Sequence, residues 1–136
     1  MQLHWRLHDG HGPPLLLVHG FLTSHSQWLA NLEALSAVCR PVTVDLFGHG
    51  DSPAPDDPPR YRPEAYVEAF EAIRRALGVD RWLVCGYSLG AGLTLRYALE
   101  YPERLIAHAF TNSSSGLATE EESEAWRQGA AESAAR

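Results

Sequence analysis

The residues best suited to chemistry lie in Gly86-Tyr87-Ser88-Leu89-Gly90, a serine with a glycine two positions away on either side. The stretch follows a short apolar run and precedes a helical pattern. In that strand-turn-helix context a G-x-S-x-G sequence lifts a serine hydroxyl above a sheet as a nucleophile. The two glycines leave room for the sharp turn, and Ala91 and Gly92 let the helix approach the strand closely. Ser88 is therefore the candidate catalytic residue. An oxyanion formed on a substrate attacked by Ser88 needs preorganised N–H donors, each worth about 3 to 4 kcal/mol when removed. The N–H of Leu89, at the start of the helix, is one candidate, and the N–H of Phe21 in His19-Gly20-Phe21 is the other. Alone, that tripeptide is a turn ending a strand; paired with the serine turn it becomes the second half of an oxyanion site. Tyr87 and Gly20 complete the candidate acyl-binding wall. Such a site takes a small-molecule acyl substrate and calls for no cofactor and no metal.

A serine keeps its proton near pH 7 unless a base removes it. After Ser88 the sequence contains no Asp, and its only later histidine is His108, inside Leu-Ile-Ala-His-Ala-Phe-Thr at 105 to 111. Four residues separate it from the strand's end at Asn112, about 13 Å at the usual rise per residue. His108 thus reads as a buried strand histidine well below the serine. Upstream, His49 follows a strand and could approach a site at the sheet's carboxyl edge, while His19 and His25 flank the oxyanion loop.

The elements that must position these residues follow from periodicity. Leu3, Trp5 and Leu7 alternate with polar residues as in a half-buried strand, and the turn formers of 9 to 14 are expected to reverse the chain into a hairpin with the next strand. Short apolar runs at 15–19, 42–46, 82–87 and 105–111 read as strands covered on both faces. Between them, helical patterns at 26–35, 64–77 and after Ser88 gather their apolar residues on one side, the last stopped by Pro102. Strands alternating with helices imply an α/β fold, a mostly parallel sheet with helices on both faces and an initial β-hairpin. The proline-rich stretch from Asp51 to Tyr66 reads as a loop within one domain spanning 1–136. From Ser113 onward the chain is polar and Ala/Glu-rich, and Thr119 with Glu122 suggests a capping box for a terminal helix.

Composition narrows the function further. The chain has 136 residues, 45% hydrophobic and 21% charged, with a net charge of −6, which argues against nucleic-acid or anionic-membrane surfaces. Cys39 and Cys85 form no CxxC pair, the N-terminus has no apolar leader, and the longest aliphatic run is four residues, Leu15 to Val18. A cytoplasmic protein is the expectation. The glycine-rich turn is no dinucleotide site, because Ser88 stands where G-x-G-x-x-G needs glycine.

Three stretches, Leu15-Leu-Leu-Val-His-Gly-Phe-Leu-Thr-Ser, Val42-Thr-Val-Asp-Leu-Phe-Gly-His-Gly-Asp-Ser and Gly86-Tyr-Ser-Leu-Gly-Ala-Gly, occur in the order and spacing of the first half of an α/β-hydrolase-fold enzyme, which the chain resembles over roughly residues 12 to 112. The resemblance implies an esterase-like serine hydrolase acting on a carboxylic ester or thioester, with the Gly48-x-Gly50-x-Ser52 turn and Asp45 structural rather than catalytic. It also implies a catalytic acid and base later in the fold. A truncated domain is therefore expected, with 113–136 the start of a cap-like helical segment and an uncovered sheet edge available for self-association. Within the superfamily, the segments around Phe21, Trp28 and Ser88 and the Glu-rich tail are similar to the menaquinone-pathway 2-succinyl-6-hydroxy-2,4-cyclohexadiene-1-carboxylate synthase-like esterases. That implies a lyase alternative in which Arg127 is the one cap arginine in a comparable place. A further alternative is a non-catalytic truncated module that retains the pocket.

Overall fold

A computed structural model describes residues 1–112, together with helical positions 121, 124–125, 127–129 and 132. The expected capping box at Thr119 and Glu122 lies outside the described residues. Five strands form one sheet: β1 (His4–Leu7), β2 (Pro14–Val18), β3 (Arg40–Asp45), β4 (Trp82–Tyr87) and β5 (Leu105–Thr111), in the order β1-β3-β2-β4-β5. Strands β2 to β5 run parallel, and β1 alone is antiparallel. The parallel pairs are joined through α1 (Leu32–Ser36), α2 (Pro63–Leu77) and α3 (Leu89–Glu100). No helix among the described residues is long and apolar enough to cross a membrane.

The initial hairpin does not form. β1 pairs with β3, Trp5 opposite Val44, so the chain from Asp9 to Pro13 passes over the start of β3 instead of turning back on β1. Its backbone is bonded there: His8 N–H donates to the Pro41 carbonyl at 2.8 Å, and the Pro13 carbonyl accepts from Arg40 N–H at 2.9 Å. Gly10 lies so close to the Cys39 carbonyl that any Cβ would collide with it. Turn residues reported a change of direction correctly but not which strand it served.

The pattern at 26–35 also resolves differently. Residues His25–Asn31 form a 3-10 helix, Ser24 accepting from Ser26 N–H as its cap, and only Leu32–Ser36 is α-helical. Leu29 is exposed. By contrast α2 spans its expected range, begins on Pro63 and ends at Gly78 in the left-handed region. Its Tyr66, Val67, Phe70 and Ile73 pack with Leu93 and Tyr97 of α3 against Leu16, Val18, Val42, Val44, Trp82 and Val84 of the sheet.

Beneath that layer Glu71 and Arg74 are buried as an ion pair, the Tyr97 hydroxyl donates to Glu71 Oε2 at 2.7 Å, and Trp82 Nε1 donates to the Tyr97 oxygen at 3.2 Å. On the opposite face the expected double cover is incomplete: Leu83, Cys85 and Tyr87 alternate as half-exposed positions along β4. β5 is an edge strand without charge, with Ile106 and Phe110 46% and 47% exposed.

Candidate active site

β4 and α3 meet at Ser88, whose backbone adopts φ 53°, ψ −114°, outside the regions open to ordinary L-residues. That conformation turns the chain from strand to helix in a single residue. It is held by the Ser88 N–H, which donates to the Thr111 carbonyl of β5 at 3.0 Å. Close approach makes the flanking glycines obligatory. A Cβ on Gly86 would overlap Thr94 Oγ1 and the Gly90 carbonyl, and one on Gly90 would overlap the Val18 and His19 carbonyls. The N-terminus of α3 therefore sits directly on the end of β2, where the His19-Gly20-Phe21 loop leaves the sheet.

Gly20 closes the arrangement from the other side. A Cβ there would come within 3.1 Å of Tyr87 Cδ1 and 3.4 Å of Ser88 Cβ, so the loop backbone and the serine turn are in contact. Its N–H donates to Gln27 Oε1 at 3.0 Å. His19 is fully buried and bridges two backbone groups, Nδ1 to the Gly20 carbonyl at 2.7 Å and Nε2 to the Leu46 N–H at 3.0 Å. Because Nε2 accepts, Nδ1 carries the proton, and burial holds the His19 pKa below its usual value. The carbonyl that His19 grips belongs to the peptide whose N–H is that of Phe21. Among the described residues that N–H meets no protein acceptor, and the N–H of Leu89 opens a helix, where none is supplied by the helix itself. Phe21 and Leu89 are 66% and 41% exposed and flank the turn, while Tyr87 is half-exposed, its hydroxyl accepting from Asn112 Nδ2 at 3.4 Å.

Among the described residues no histidine ring is hydrogen-bonded to the Ser88 hydroxyl. His108 lies opposite Val84 in β5, well below Ser88, and is half-buried instead of buried because β5 is an edge. Its Nε2 lies 2.8 Å from Thr94 Oγ1, and burial lowers its pKa. His49 Nδ1 faces the Phe47 carbonyl at 2.9 Å while Nε2 accepts the Leu22 N–H at 3.2 Å. His25 is committed to Asp45, Nδ1 to Oδ1 at 3.0 Å.

Asp45 is the residue whose importance its sequence context understated. It is fully buried at the end of β3 and accepts the N–H of His25 at 2.7 Å and of Asp51 at 3.0 Å, tying the oxyanion-side loop to the Gly48–Ser52 turn. Burial by itself would raise its pKa, but those N–H donors and the His25 ring overturn that and hold it below the usual carboxylate value. A lone carboxylate at the end of a strand that is otherwise buried from Pro41 to Val44 is the signal that could have marked it. Gln27 had no such signal. His4, Asp45 and Asp51 place potential metal donors within 4.8 Å of one another, yet the Asp45 oxygens are already occupied by protein donors.

A family model described as the alpha/beta hydrolase fold matches residues 13–134. The chain belongs to that family. As an α/β-hydrolase it is 36% identical over 94 residues to the (lyso)-N-acylphosphatidylethanolamine lipase of Mus musculus, covering 68% of this chain and 28% of the lipase. It is 31% identical over 111 residues to a 1-acylglycerol-3-phosphate O-acyltransferase of Arabidopsis thaliana, covering 79% and 26% of the two chains. Among solved structures, the epoxide hydrolase of Bacillus megaterium superposes with a TM-score of 0.76 at 26% identity, over 82% of this chain and 39% of the other. This α/β-hydrolase chain thus spans between a quarter and two-fifths of these relatives' lengths, and its relatives include hydrolases and acyltransferases.

Proposed function

We propose that Ser88 is the nucleophile of an esterase-like serine hydrolase acting on a carboxylic ester or thioester, with the N–H groups of Phe21 and Leu89 receiving the oxyanion. Gly20, His19 and Tyr87 shape the acyl site. One observation carries this reading: a non-glycine residue is held at φ 53°, ψ −114° between two glycines that cannot be replaced, against the loop that leaves β2. Such strain costs on the order of 1–3 kcal/mol and persists where geometry matters more than stability. In the proposed reaction the Ser88 oxygen attacks the carbonyl carbon and its proton passes to a base. The alcohol or thiol then leaves with a proton, and water releases the acid from the acyl-serine.

The lipase and acyltransferase relatives are named for acylated lipids, which supports acyl chemistry at this site. They do not single out the menaquinone-pathway lyase, and Gly92 stands where that synthase resemblance implies an arginine. A second reading, a binding module without turnover, is favoured by the engagement of His19, His25, His49 and His108 with other partners. In the esterase reading the base and its acid partner come from outside the described residues.

A fluorophosphonate probe separates nucleophile from turn residue. Labelling at Ser88, located by peptide mass spectrometry and lost in Ser88→Ala, supports the first reading; a folded chain that takes no label at all rules it out. Turnover of a p-nitrophenyl ester by labelled-competent protein then distinguishes the enzyme from the binding module.

A further inference from the structure

The loop that leaves β2 is tied down through three of its backbone donors. Gly20 N–H goes to Gln27 Oε1 at 3.0 Å, Leu22 N–H to His49 Nε2 at 3.2 Å and His25 N–H to Asp45 Oδ1 at 2.7 Å. Between the first two lies the uncommitted N–H of Phe21. Leu22 itself has φ +61°, a left-handed conformation that a leucine does not adopt cheaply, and its side chain is 82% exposed, so no burial repays it. The bond to His49 is what the described structure offers in return.

His49 is set up to make that bond. Its Nδ1 lies 2.9 Å from the Phe47 carbonyl, which can only accept, so Nδ1 carries the proton and Nε2 presents a lone pair to Leu22 N–H. The ring is wedged between His19, at a centroid distance of 5.1 Å, and Phe21, edge-on at 5.8 Å. It therefore touches the residue before the clamped N–H as well as the residue that grips the Gly20 carbonyl. His19 fixes one side of the Gly20–Phe21 peptide and His49 fixes the next peptide along.

We propose that His49, through its acceptor Nε2 on the Leu22 N–H and its ring against Phe21, is a positioning residue that aims the free Phe21 N–H at the oxyanion formed at Ser88. The inference rests on the reading of Ser88 as the nucleophile. It assigns to the middle residue of the Gly48-His49-Gly50 turn a role in transition-state stabilisation and none in proton transfer, since both its nitrogens are occupied.

The test uses the whole chain and an alkylboronic acid, which adds to a serine oxygen as a tetrahedral anion and so reads the oxyanion donors directly. In His49→Phe, which keeps a ring but no acceptor, boronate affinity falls on the order of tenfold, less than the hundredfold or more for deleting a donor outright. Leu22 amide exchange accelerates by a similar factor. His49→Gln, whose amide oxygen can accept the same N–H, returns both to within roughly threefold of the parent, a rescue that loss of ring packing alone would not allow. In the parent protein, nitrogen NMR shows His49 protonated at Nδ1 and bare at Nε2; the opposite tautomer overturns the proposal without any variant, and covers the case in which His49→Phe does not fold. If the parent binds boronate and His49→Phe binds it equally well, the role of His49 is refuted and Ser88 stands. If the parent binds no more boronate than Ser88→Ala, the nucleophile reading falls, and this inference falls with it.

Discussion

Replacing Ser88 by glycine should make the protein more stable while destroying its reactivity. The residue sits at φ 53°, ψ −114°, a backbone that glycine reaches without a Cβ clash and that alanine does not. Its hydroxyl caps no N–H of α3, so Ser88→Ala removes the oxygen while leaving the strain in place. Comparing glycine with alanine at this one position therefore isolates the backbone term. Relief of strain contributes on the order of 1–3 kcal/mol, and the extra freedom of glycine in the unfolded chain costs about 0.5–1 kcal/mol. The net expectation is that Ser88→Gly exceeds Ser88→Ala by roughly 0.5–2 kcal/mol, or about 3–5 °C per kcal/mol in melting temperature for a chain of this size. Urea unfolding followed by circular dichroism measures it, provided both variants show the same m value. Both variants should also lose fluorophosphonate labelling. A Ser88→Gly protein no more stable than Ser88→Ala would refute the claim that strain is stored at this turn, and with it the main support for a built nucleophile.

Other consequences follow from the packing. Gly90→Ala would drive a methyl into the Val18 and His19 carbonyls, and the forced backbone shift should cost about 1–3 kcal/mol in urea unfolding; an unchanged midpoint would mean α3 is not seated on β2. Tyr97→Phe leaves Glu71 Oε2 and Trp82 Nε1 without the hydroxyl that joins them, for an expected loss of about 1–3 kcal/mol by the same assay. Glu71 gives a pH signature. Burial pushes its pKa up, but Arg74 and Tyr97 overturn that and hold it below the unfolded value, so its contribution is present above about pH 4.5 and is lost as pH falls through the folded pKa. Glu71→Gln should flatten the acid limb of the stability profile, leaving the part owed to Asp45, and an identical acid limb would argue against the pair. The uncharged edge of β5, with Ile106 and Phe110 exposed, is expected to drive concentration-dependent association that Ile106→Lys suppresses in sedimentation velocity.

Much of the scaffold was legible in the chain because apolar periodicity is a local signal. The runs at 82–87 and 105–111 became β4 and β5 at those boundaries, and the pattern at 64–77 became α2 with one residue added. Where the pattern misled, a distant partner was deciding. Trp28 and Leu29 have helical spacing, but they lie where Ser24 caps a 3-10 turn and where His25 is drawn to Asp45, twenty residues away. The hairpin failed for a related reason: turn residues state that the chain bends, and strand choice depends on which ladder is open.

At the site the division is sharper. Ser88 with its glycines was recognisable because a tight strand-to-helix turn demands small residues at fixed offsets, and the chemistry needs a hydroxyl between them. The chain alone also showed that no Asp and a single histidine, His108, follow Ser88 within these residues, which is a matter of counting. What it could not reveal is how the histidines it does contain are spent. His19 on Leu46, His25 on Asp45, His49 on Leu22 and His108 on Thr94 are all contacts across at least fourteen residues, the span in the His108–Thr94 pair. An imidazole has the same composition whether its lone pair is free or bonded, and only the folded neighbourhood determines which. Residue type and spacing determined where a nucleophile could be built; tertiary hydrogen bonding decided that His19 and His49 grip the loop backbone beside it.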